Sequence, residues 1–199
     1  MLFAADVLSR NPGGKIIFDV KCTRNLAPWI SQHGGTPIMW KTGHSFIKAK
    51  LQESKALLAG EMSGHLFFKE RWYGFDDGLY AGARLLELLS HQADISAALN
   101  NLPDSINTPE LQIRVAEGEN HALIAQLQKN AAFNHPQQVI TIDGLRVEYS
   151  DGFGLARASN TTPVVVLRFE ADNESALKRI QEDFRHNILQ AKPDARLPF

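Results

Sequence analysis

The sequence of 199 residues has a single cysteine, Cys22, so no disulfide can form within the chain and a small disulfide-stapled fold is excluded. No apolar stretch approaches the roughly 20 residues of a membrane-spanning helix. Met1-Leu2-Phe3-Ala4-Ala5 runs straight into Asp6, without the basic segment, apolar core and cleavage site of an export signal. A soluble, cytoplasmic chain is expected. Leu2, Phe3, Val7 and Leu8 instead mark one side of an amphipathic helix, as though the chain began inside a domain of a larger protein.

Further absences remove classes of chemistry. The seven histidines are scattered, and with one cysteine there is no zinc pattern. No Gly-x-Ser-x-Gly elbow, Walker motif or dinucleotide-binding glycine fingerprint occurs. No dense Lys/Arg run is present, which argues against nucleic acid.

What remains is ordinary globular material, 44% hydrophobic and 22% charged, enough for one large domain or two small ones. The net charge of −1 conceals a split. Residues 1–71 hold ten Lys/Arg against five Asp/Glu, and the rest hold eleven against seventeen. A locally positive first part favours anionic ligands.

Pro12-Gly13-Gly14 forms a turn into the apolar, β-rich run Lys15–Val20. A helix follows, capped by Thr23, with Leu26, Trp29 and Ile30 at helical spacing and a left-handed stop at Gly34-Gly35. Thr36–Trp40 is the next strand, and this strand–helix–strand order joins parallel strands economically. A short helix over Ser45–Leu51 and apolar runs at Ala56–Ala59 and Leu66–Phe68 complete a mixed sheet. Asp76-Asp77 caps a helix reaching Ser90, with Leu79, Ala83, Leu86 and Leu89 expected to face inward. The aromatics Phe67, Phe68, Trp72, Tyr73 and Phe75 are expected in the core and at domain contacts.

The polar, proline-bearing stretch 91–109 marks a boundary, giving domains 1–103 and 104–199. Beyond it the pattern predicts a small α+β domain: a four- to five-stranded antiparallel sheet and two helices. Asp143-Gly144 and Asp151-Gly152 are hairpin turns. The last helix, capped by Asp172 or Asn173, carries the stripe Leu177, Ile180, Phe184 and Ile188.

Open α/β sheets gather ligands beyond the carboxyl ends of their parallel strands. Lys21, His44 in Lys41-Thr42-Gly43-His44, and the loop Gly60-Glu61-Met62-Ser63-Gly64-His65 all fall there. Glu61 and Ser63 between small residues can meet adjacent sugar hydroxyls. Plain alternatives exist: Lys21 as a surface lysine, His44 as a helix-start residue, His65 as a hydrogen-bonded core histidine. The loop Arg157-Ala158-Ser159-Asn160-Thr161-Thr162-Pro163 offers a fork, hydroxyls, an amide and backbone N–H groups to a phosphate. Its alternative is a polar hairpin loop with an arginine at its stem.

In order and spacing, Asp19–Arg24, Lys41–Ser45, Gly60–His65 and Arg157–Pro163 resemble the third and fourth domains of the bacterial phosphomannomutase/phosphoglucomutase enzymes of the α-D-phosphohexomutase superfamily. The resemblance implies that Glu61 and Ser63 hold the sugar's 3- and 4-hydroxyls. It places Lys21, His44 and His65 along the cleft, any of them a candidate for moving protons, and gives Arg157, Ser159, Asn160 and Thr161 the phosphate that is not transferred. It implies a hexose phosphate substrate and a magnesium-assisted phosphoserine, with phosphate moving through a bisphosphate intermediate.

Two parts of that pattern are absent: the Thr-Ala-Ser-His-Asn-Pro nucleophile loop and the repeated Asp-Gly-Asp metal loop. Ser9-Arg10-Asn11-Pro12 is only a decoy for the former. No metal site is therefore expected in this chain, and magnesium is assigned to missing N-terminal domains. The first sheet is also expected to lack its first strand and to leave an edge open to self-association. The expectation is the recognition half of a phosphohexomutase, inactive alone. The alternative is a stand-alone sugar-phosphate-binding module.

Overall fold

A computed structural model describes residues 1–199, which divide into two compact units, Met1–Asp104 and Ser105–Phe199. No helix is long and apolar enough to cross a membrane.

The first unit runs α1 (Leu2–Arg10), β1 (Lys15–Asp19), α2 (Leu26–Gln32), β2 (Thr36–Trp40), α3 (His44–Ser54), β3 (Leu58–Gly60), β4 (Leu66–Phe68), α4 (Gly78–Ser90) and α5 (Ile95–Asn100). The sheet order is β2-β1-β3-β4, with β1 parallel to β2 and β3, and β4 antiparallel to β3. β1 thus has a neighbour on each side, and the edge strands of the sheet are β2 and β4.

Period-2 alternation splits the apolar residues between the two faces. Ile16, Phe18 and Phe68 join Ala4, Val7, Leu8, Ile30 and Ala81 in one core; Ile17, Ala59 and Phe67 join Ile47 and Leu51 in the other. The sheet is therefore sandwiched between helices. Gly34 ends the α2 segment at φ +76°. The cap of α2 is Asn25 rather than Thr23, whose hydroxyl accepts the Asn25 N–H in the preceding turn.

α4 departs from the sequence reading. Asp77 caps it by accepting the Tyr80 N–H, but Leu79 and Leu86 are 90% and 72% exposed. Ala83 is exposed too, and Leu89 is half-buried. The inward face is set by Ala81 and by Arg84, only 3% exposed, which pairs with Asp6 at 2.9 Å and Glu70 at 3.0 Å and lies 4.7 Å over the Phe68 ring. Tyr73 and Phe75 are likewise exposed rather than in the core.

Ser9 and Arg10 close α1: the Ser9 hydroxyl donates to the Asp6 carbonyl, and Arg10 grips the Asp6 carboxylate in a fork. That fork, with Arg84 assisting, holds Asp6 down to about 2 from 3.8. A lowered carboxyl pKa stabilises above its ordinary value and ceases to do so as pH falls through the lowered one. The α1–α4 tie is therefore expected to weaken between pH 3.8 and about 2. Unfolding midpoints measured across that window should fall in the wild type and change less in Asp6→Asn.

The second unit runs β5 (Ile106–Asn107), β6 (Leu111–Arg114), α6 (Glu119–Asn130), β7 (Gln138–Ile140), β8 (Leu145–Tyr149), β9 (Gly152–Ala158), β10 (Val164–Ala171) and α7 (Glu174–Ala191). The antiparallel order is β5-β10-β9-β8-β7, and β6 also pairs with β10. Because β5 and β6 share one flank of β10, six strands occupy five positions. Leu145, Val147, Val165, Leu167 and Phe169 pack with Leu123 and Leu127 of α6 and Ile180, Phe184 and Ile188 of α7. Asn173 caps α7 by accepting the Ala176 N–H. The short α5 and β5 lie within the stretch read as a polar spacer, each too short to impose a period.

Candidate functional site

In the first unit the carboxyl ends of β1, β2 and β3 deliver three loops to one rim of the sheet, and Asp19 ties them together. It ends β1, is fully buried, and accepts three hydrogen bonds: from the Thr42 hydroxyl after β2 (3.0 Å), from the Met62 N–H after β3 (3.2 Å), and from the Cys22 thiol (3.1 Å). A carboxylate this deep is tolerated only when its oxygens are bonded. The sequence placed an acid at the end of an apolar strand, but nothing in it disclosed that partners would come from all three loops.

Glu61 follows β3 and is 8% exposed. Its Oε1 accepts the Gly43 N–H at 2.8 Å and its Oε2 the Ser63 hydroxyl at 3.3 Å. The β3–β4 turn is closed by two backbone bonds, Glu61 N–H to the His65 carbonyl and Gly64 N–H to the Glu61 carbonyl. Glu61, Ser63 and Gly43, the residue before His44, are thereby brought together.

The remaining candidates occupy different settings. Lys21 is 7% exposed, which removes the surface-lysine alternative. His44 opens α3 and is exposed. His65 is exposed as well, its Nδ1 2.7 Å from Asp76 Oδ2, so it is a surface-paired rather than a core histidine. Asp76 thus engages His65 while Asp77 caps α4. No three His, Cys, Asp or Glu side chains gather as a metal site.

In the second unit, Arg157 lies near the end of β9, largely buried, and its Nε donates to Asp143 Oδ2 at 3.0 Å. Asp143 entered the sequence reading only as a turn residue. The loop from β9 to β10 folds around the Ser159 hydroxyl oxygen, which receives the N–H groups of Thr161 (3.3 Å) and Thr162 (3.2 Å) and the Thr162 hydroxyl (2.9 Å). Asn160 and Thr161 are exposed. The buried Asn120 of α6 holds this loop from beneath, its amide donating to the carbonyls of Ser159 (2.9 Å) and Thr162 (3.3 Å). An asparagine in the first turn of a helix gives no sequence signal of that role.

Residues 1–106 match the family model for the alpha/beta/alpha domain III of phosphoglucomutase/phosphomannomutase, and residues 110–187 match that for its C-terminal domain. The chain belongs to the phosphoglucomutase/phosphomannomutase family. A crystal structure of a family protein from Burkholderia thailandensis superimposes with a TM-score of 0.94 at 66% identity, covering 100% of this chain and 42% of that one. The phosphoglucomutase of Neisseria meningitidis is 63% identical over 98% of this chain and 42% of its own length. The phosphomannomutase/phosphoglucomutase of Pseudomonas syringae pv. tomato is 56% identical over 100% of this chain and 43% of its own. The chain therefore spans about two-fifths of these phosphohexomutases and corresponds to their C-terminal part.

Proposed function

We propose that this chain is the substrate-recognition part of a phosphohexomutase that interconverts the 1- and 6-phosphates of mannose and glucose. The phosphoserine and the magnesium site would lie in the preceding domains, and phosphate would pass through a bisphosphate intermediate. The observation that carries the reading is the Glu61 carboxylate. It is held at the joint of the strand-end loops with one backbone and one hydroxyl donor, in a chain of this family. Each carboxylate oxygen has capacity for a further donor, so two neighbouring sugar hydroxyls can be received without dismantling the turn.

Arg157, Ser159, Asn160 and Thr161 would grip the phosphate that is not transferred. The Asp143 bond fixes the Arg157 guanidinium through Nε, and the terminal nitrogens supply the fork. The N–H groups of Thr161 and Thr162 already point at one oxygen, that of Ser159, and a phosphate oxygen can take its place. Lys21, His44 and His65 would line the cleft. In such chemistry positioning and charge stabilisation supply most of the rate, which is the part this chain would contribute.

Joining the chain to the preceding domains of the Burkholderia relative, with magnesium and glucose 1,6-bisphosphate, is expected to yield mutase activity that the chain lacks alone. A folded fusion that binds mannose 1-phosphate without turnover would favour the stand-alone binding module instead. In calorimetric titration with mannose 1-phosphate, Arg157→Ala is expected to weaken binding by about 1–3 kcal/mol, the range of a charge-assisted hydrogen bond. Unchanged affinity would remove Arg157 from the site.

A further inference from the structure

A cavity of about 750 Å³ opens on the second unit between β6, the start of α6 and the segment that follows α7, lined by Gln112, Arg114, Glu119, Lys192, Asp194 and Arg196. Its volume lies in the range of small-molecule sites. Three cations and two carboxylates meet there from stretches far apart in the chain. None of them belongs to the Glu61 turn or to the 157–163 loop.

The charges in the cavity are unevenly matched. Lys192 donates to Glu119 Oε1 at 2.7 Å and to Asp194 Oδ2 at 3.2 Å, and these bonds hold both carboxyl groups below their usual values, so both are ionised at neutral pH. Glu119 also accepts the Ala116 N–H at 2.9 Å, which braces the turn from β6 into α6. One ammonium thus engages both anions. Arg114 and Arg196 form no ion pair or side-chain hydrogen bond, and both are exposed. Ile113 turns into the core, so strand alternation turns Arg114 away from it. Two unmatched guanidinium groups on one concave wall repel each other and concentrate positive potential. A dianion relieves that repulsion completely, whereas a single carboxylate would leave one of them unmatched. The planar guanidinium fork takes phosphate oxygens two at a time.

We propose that this cavity binds a phosphomonoester the size of a nucleotide, its dianionic phosphate held by Arg114 and Arg196 and its body lying along Gln112 and the Lys192–Glu119 pair. The site shares no residue with the hexose-phosphate site and does not depend on it.

The test titrates adenosine monophosphate into the isotopically labelled chain while backbone amide shifts are followed. Saturable shifts are expected at Arg114, Ala116, Glu119 and Arg196, in the wild type and equally in Arg157→Ala, which lacks the guanidinium of the 157–163 loop. Arg114→Gln/Arg196→Gln is expected to lower the affinity about tenfold or more, the effect of one lost charge-assisted hydrogen bond. Because both residues are exposed, its Tm should stay within about 2 °C of the wild type; should it unfold, Arg196→Gln alone gives the same readout. The proposal is overturned by shifts that do not saturate, by equal shifts with sodium chloride at matched ionic strength, by their loss in Arg157→Ala, or by an affinity that the arginine changes leave unmoved. Inorganic phosphate binding as tightly as the nucleotide would overturn the assignment of an ester. The hexose-phosphate reading is tested separately, by mannose 1-phosphate shifts at residues 159–162 in the double variant, so either can fail alone.

Discussion

Gly144→Ala is expected to destabilise the second unit by about 3 kcal/mol or more and to abolish measurable phosphate binding, although it adds one methyl group. Two costs combine. Gly144 has φ +85°, where an L side chain costs about 1–2 kcal/mol. The added Cβ would also lie 2.4 Å from the Ala156 carbonyl oxygen and 2.5 Å from Arg157 Cβ, and crowding of this kind adds about 1–3 kcal/mol. The atoms it meets are mostly β9 backbone, so relief requires β8 and β9 to separate at their Leu145–Ala156 pairing. That motion pulls Asp143 away from Arg157 and releases the guanidinium from its orientation. Gly118→Ala is the control. Its φ is similar, +77°, but nothing lies within 4 Å of the added atom, so only the conformational cost should appear. Urea denaturation of both variants separates the two terms, and a Gly144→Ala loss no larger than that of Gly118→Ala would contradict the steric argument.

Much of the fold was legible because strands and helices here bury one face each. The apolar run Lys15–Val20 read as a buried strand and contains β1, and the stripe Leu177, Ile180, Phe184 and Ile188 marked the face by which α7 packs on the second sheet. α4 shows where periodicity stops being informative. Its leucines do form a stripe, but a buried arginine with two carboxylate partners outcompeted them for the inner face. Sequence spacing reports that a face is apolar, not what covers it. The decision came from Asp6 and Glu70, which are 78 and 14 residues away from Arg84.

The candidate site was legible to a different degree in its two halves. Glu61 and Ser63 could be placed together because they share one short turn. The phosphate loop was likewise continuous in sequence. What sequence reasoning could not reach were the residues that hold these loops: Asp19, Asn120 and Asp143. Each acts across a gap in the chain, and each belongs to a type with an ordinary local explanation, as a strand-end acid, a helix-start amide and a turn former.

Asp19→Ala tests whether the sugar loops depend on that common anchor. The substitution would leave the Thr42 hydroxyl, the Met62 N–H and the Cys22 thiol without their shared acceptor. A buried donor left unpaired costs about 1–3 kcal/mol; with the thiol a weak donor, a loss of about 3–5 kcal/mol is expected for the first unit. Asp19→Asn should recover most of it. The amide oxygen can serve Met62 and Cys22, and the Thr42 hydroxyl can rotate to accept from the amide nitrogen. The two variants therefore separate shape from packing. In the fused protein, the same alanine change frees the loops carrying Gly43 and Glu61 to shift apart, and a displacement near 1 Å costs about a hundredfold in rate. An Ala variant that keeps both wild-type stability and full kcat/KM would mean that the three loops hold their places without Asp19, and the site would then need another organising centre.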